Sequence, residues 1–64
     1  MSAYVLQGLS AKRRAHLANV DLLKAALPNL EPDAAARAHR TIANLQSQIV
    51  QLDAQLLRNN QRAA

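Results

Sequence analysis

The chain has 64 residues, carries a formal charge of +4, and contains no Cys, Phe or Trp. Without thiols it can form neither a disulfide nor a thiolate metal site, and at this length a lone domain buries too little surface to be robust without a staple or a partner. Half of the residues are apolar, drawn mostly from Ala and Leu, with Tyr4 the one aromatic and Gly8 the one glycine; that composition disfavours strands and points to an all-α chain.

A first helix is expected over about residues 3–27, with two candidate starts. A Ser10 cap would place Lys12, Arg13 and Arg14 in the first turn, against the helix dipole. A Ser2 cap starts the helix at Ala3 and moves those cations into the interior, where the penalty fades. It makes Gly8 an interior residue, at a cost of about 1 kcal/mol relative to Ala. The longer helix is favoured, because its length of about 37 Å nearly matches the second helix. Its apolar series is Leu6, Leu9, His16, Val20, Leu23, Leu27 and Leu30, stepping by three and four when Arg13 is counted, with Leu17 added to that face. A flanking line of Ala11, Ala15, Ala18, Leu22 and Ala26 is mostly small, which lets another helix approach closely.

The stretch LPNLEPDAA holds both prolines and predicts a hinge over 28–31. Pro28 disfavours helical dihedrals at Leu27. Pro32 suits the first turn of a new helix, and Glu31 and Asp33 place negative charge at its positive end. Leu30 is expected to fold back over the hinge.

The second helix is expected over about 32–60, with no Gly or Pro inside it and a length of about 43 Å. Ile42, Ile49 and Leu56 take heptad positions a, with Ala35 before them; Ala38, Leu45, Leu52 and Asn59 take positions d. This is a coiled-coil seam. A second line, Ala36, Ala43, Val50 and Leu57, lies about 100° around the helix. The polar residues His39, Gln46, Asp53 and Asn60 separate the two lines, so the spacing predicts two distinct contacts.

A short connection makes the helices antiparallel neighbours. With the reversal centred in the hinge, Leu23 should lie near Arg37 and Leu9 near Gln51. One hairpin has one internal seam, and four apolar lines exceed what it can cover. Association is therefore expected: a homo-oligomer such as a dimeric four-helix bundle, or docking on a larger protein. The predicted interface residues are Ile42, Leu45, Ile49, Leu52 and Leu56 for one seam, and Val50 and Leu57 with Ala15, Ala18 and Leu22 for the other. The many neutral amides of helix 2 favour partial burial in an assembly over a solvated helix.

No catalytic constellation is present. Ser10, His16 and Asp21 share one helix at spacings that do not converge, so an enzyme is not expected and no cofactor is implied. His16 and His39 stand far apart without further ligands, so no metal site is expected. The basic residues Lys12, Arg13 and Arg14, and Arg37 and Arg40, form two clusters toward opposite ends of the hairpin. They give an alternative reading as a small nucleic-acid-binding bundle that follows phosphates. Lacking stacking aromatics, it would be non-specific or shape-reading. No membrane span or signal-like leader is expected, and the expected setting is the cytoplasm of a bacterial or viral system. In size and outline the chain resembles two families of helical hairpins. These are the plasmid copy-number regulators, which are dimeric bundles that bind paired RNA loops, and the small co-chaperones of type III secretion. The resemblance is architectural, carries no site residues, and implies an accessory protein of a phage, plasmid or bacterial assembly.

Overall fold

The computed structural model describes residues 3–63, and side chains from Tyr4 to Asn60. It is an all-α antiparallel hairpin. Helix α1 runs Ala3–Ala26, a 3-10 turn follows at Leu27–Asn29, and helix α2 runs Pro32–Ala63. The early start of α1 keeps Lys12, Arg13 and Arg14 away from its first turn; the expected cap, Ser2, lies outside the described residues.

The hinge differs from expectation in detail. Pro28 does not force Leu27 into an extended conformation. The helix tightens into the 3-10 turn, which accepts Pro28 near its start. Leu30 then turns extended, with φ −92° and ψ 145°, and its N–H returns to the Leu27 carbonyl at 3.2 Å. Glu31 supplies the carbonyl that opens α2, accepting the Ala35 N–H at 2.8 Å. Every described residue has negative φ, so the chain reverses without glycine. At the other end α2 continues to Ala63 rather than stopping near Asn60, since Gln61, Arg62 and Ala63 are good helix formers and nothing breaks the turn.

The two helices meet along the expected heptad line. Val20, Ala38, Ile42, Ile49 and Leu52 are buried, and Leu17, Leu23, Leu27 and Leu45 pack around the cluster formed by Val20, Ile42 and Ile49. The molecule is a rod of 48 × 15 × 11 Å. Two helices side by side have no third element to cover the seam. Consequently, among the described residues, no large side chain falls below 2% exposure, and the buried Val20 keeps 4%.

The register departs from expectation by about one helical turn at the open end. Leu9 lines a groove with Gln55, Arg58 and Asn59, while Gln51 lies beside Lys12 and His16. Two causes combine. The 3-10 turn prolongs the first rod beyond Ala26. Helical side chains also lean toward their own N-terminus, so in an antiparallel pair they lean in opposite directions and meet partners farther along.

Candidate interaction surface

The hairpin is a slab with two broad faces, and the heptad positions decide which residues share a face. Arg13 stands in the seam of α1, half-buried, and its Nε donates to Asp53 Oδ1 of α2 at 2.5 Å. This pair marks the first face. Residues seven apart on a helix lie on one side, so Arg14 and Asp21 of α1 and the line Ala36, Ala43, Val50 and Leu57 of α2 belong to the same side. Val50 is 67% exposed and Leu57 60% exposed. Thus α2 fills the seam with one apolar line and leaves a second in solvent.

The second face is marked by two adjoining open grooves. One is lined by Val5, Leu9, Gln55, Arg58 and Asn59, the other by Lys12, His16, Gln48, Gln51, Leu52 and Gln55. Steps of seven add Asn19 beside Lys12 on α1, and Arg37 and Asn44 below Gln51 and Arg58 on α2. Leu22, 70% exposed, and Ala15 border this face on α1.

The residues singled out from sequence are therefore distributed as follows. Ile42, Ile49 and Leu52 are buried, and Leu45 and Leu56 half-buried, between the helices of a single chain. Val50 and Leu57 are exposed on the first face. Ala15, Ala18 and Leu22 are exposed too, but on the back and second-face side of α1. The Ala line of α1 and the Val50–Leu57 line of α2 thus form two patches rather than one surface. The basic clusters also divide. Lys12 and Arg37 share the second face, Arg14 lies on the first, Arg40 on the outer edge of α2, and Arg13 is tied to Asp53. Side chains of consecutive helical residues point about 100° apart, so a basic run scatters around the helix.

Arg58, expected from chain order to approach the Lys12 cluster or extend beyond it, joins the second face at the level of Val5 and Leu9. One participant was not singled out. Asp53 finds Arg13, and its signal in the sequence is an arginine at a seam position. Ser10, His16 and Asp21 point to different sides of α1 and do not converge. Among the described residues no group of three or more His, Asp or Glu is arranged to hold a metal ion, and no helix is long and apolar enough to cross a membrane.

No protein-family model matches this chain, and no curated protein or solved structure matches it significantly. What its surfaces can do follows from their own chemistry. The first face offers a line of apolar residues seven apart, with mostly polar residues between them. The second offers cations and carboxamides over a shallow, open floor.

Proposed function

We propose that the chain is a non-enzymatic association module that pairs with a second copy of itself through the exposed line of α2. The observation that carries this reading is the order of residues along that line: Ala36, Ala43, Val50, Leu57, with the last two exposed. Read antiparallel, the line is complementary to itself. Ala36 of one copy faces Leu57 of the other, and Ala43 faces Val50, so every large side chain meets a small one. A twofold interface requires such self-complementarity, and alternating large with small residues is how facing helices interdigitate. The seven-residue spacing suits a helical partner lying along α2. The product is a four-helix bundle, which covers one face of each hairpin that the internal seam leaves open.

The test is the mass in solution, by light scattering across micromolar concentrations. The wild type is expected to be dimeric. Val50→Glu with Leu57→Glu should give a monomer that keeps its helical circular dichroism. The exchange Ala43→Val with Val50→Ala preserves the opposition of large and small, and should remain dimeric. A wild type that stays monomeric throughout removes the reading, as does a dimer indifferent to the two glutamates. A folded monomer that binds a helical protein through Val50 and Leu57 would replace the second copy with that partner.

A further inference from the structure

The carboxylates of this chain are unevenly distributed between its faces. Lys12, Arg37 and Arg58 are exposed on the second face, and among the described residues none of them forms an ion pair. The carboxylates lie elsewhere: Asp21 and Asp53 on the first face, Asp33 on the outer edge of α2, Glu31 in the hinge. Between the cations stand neutral donors from both helices, Asn19, Asn44, Gln48, Gln51 and Gln55, while the Thr41 hydroxyl donates to the Arg37 carbonyl at 3.1 Å. Among the described residues the second face holds no carboxylate and no aromatic ring. An ordinary solvated helix intersperses both signs four residues apart. Here Asp33, four residues before Arg37, stands on the adjoining outer edge, and the other carboxylates lie away from this side, while the chain as a whole is at +4.

From this arrangement we infer that the second face binds the sugar–phosphate backbone of a nucleic-acid duplex. Arg37 and Arg58 share one line of α2, 21 residues apart in sequence, or about 31 Å along the helix. That span is close to one duplex turn of about 34 Å. Lys12 reaches the same track from α1, beside Gln51 and Gln55. Guanidinium and ammonium groups neutralise phosphates and release counterions. Amide side chains donate to phosphate and sugar oxygens, fixing register without reading sequence. The lack of rings decides against a single strand, which is held by stacking on aromatic platforms. A side 15 Å across is also too broad to enter a major groove about 12 Å wide, so contact stays at the backbone. This inference does not depend on the pairing proposed above, although the two surfaces adjoin, since Leu57 and Arg58 line one shallow depression with Gln51, Ala54 and Gln55.

The experiment measures binding of the full chain to fluorescent 20-base-pair DNA and RNA duplexes and to the matching single strands, from about 50 to 200 mM salt. The variant Lys12→Gln/Arg37→Gln/Arg58→Gln is compared with Arg14→Gln/Lys24→Gln/Arg40→Gln, which removes the same charge elsewhere. Circular dichroism checks that both stay helical. The wild type should bind duplex more tightly than single strand. The second-face variant should lose roughly tenfold or more at low salt, and its slope of log affinity against log salt should flatten by about 2 to 3. The control variant should change affinity by less than about threefold. Binding to either duplex supports the inference, and the tighter arm identifies DNA or RNA as the source of the phosphates. Four results overturn it: no binding at about 50 mM salt, equal losses in the two variants, tighter binding to single strands, or equal binding to polyglutamate.

Discussion

Gly8 lies six residues into α1, has ordinary helical φ, and faces open space where a Cβ would stand. Its lack of a side chain therefore costs backbone entropy and answers no steric need in the hairpin. Gly8→Ala is expected to stabilise the fold by roughly 0.5–1 kcal/mol, seen as a higher urea midpoint; an unchanged or lower midpoint would show that Gly8 meets something in the folded state. The Arg13–Asp53 pair is a weaker contributor. Its side chains are 38% and 50% exposed, so solvent and salt screen it, and its worth is at most about 1 kcal/mol. Its larger consequence is geometric, since it ties the helices along one edge. At this scale the sequence was only partly legible. Lys12, Arg13 and Arg14 read as one cluster along the chain, yet in the fold they take three different surroundings. Separating them requires the direction of the seam as well as their order.

Among the elements, α2 was the most legible. The period of Ile42, Leu45, Ile49, Leu52 and Leu56 fixed which side meets α1, because these large apolar residues recur in the three-and-four steps that a neighbouring helix covers best. The hinge was legible in position but not in form, since Pro28 is compatible with either a break or a 3-10 turn. Register was misjudged because chain counting treats side chains as perpendicular to the helix, and they lean. The two apolar lines of α2 can be told apart by one comparison. Ile49→Asp buries a charge inside the seam and should destabilise the hairpin by about 3 kcal/mol or more. For so small a fold that is enough to collapse the helical circular dichroism signal. The neighbouring Val50→Glu is exposed and should leave that signal intact. Retained helicity in Ile49→Asp would place the seam on the wrong line.

At the level of the whole molecule, a rod two helices wide has a thin interior. Its five buried apolar residues all retain some solvent contact. A second copy over Val50 and Leu57 would add apolar burial that the single chain lacks, and folding would then be linked to association. The melting temperature should rise with protein concentration, by roughly 3–6 °C per tenfold. A transition independent of concentration would mean that the hairpin unfolds as a separate unit. Whole-molecule organisation was the least legible scale. Excess apolar surface and excess charge both show in the composition, but which apolar lines and which cations share a side becomes visible only once the helices are paired.

The single reversal between Asn29 and Pro32 also sets how the hairpin responds to mechanical load. Tension applied to the free tips of α1 and α2 pulls the rods apart sideways, so the side-chain pairs are strained in succession and not in parallel. The polar tip around Asn59 would part first, then the layer at Leu52. Rupture would meet its greatest resistance late, where Val20 closes on Ile42 and Ile49. A tug along the rods' common axis, with the bend held, would run through the backbone of the pulled helix and leave the apolar stripe between the rods unloaded.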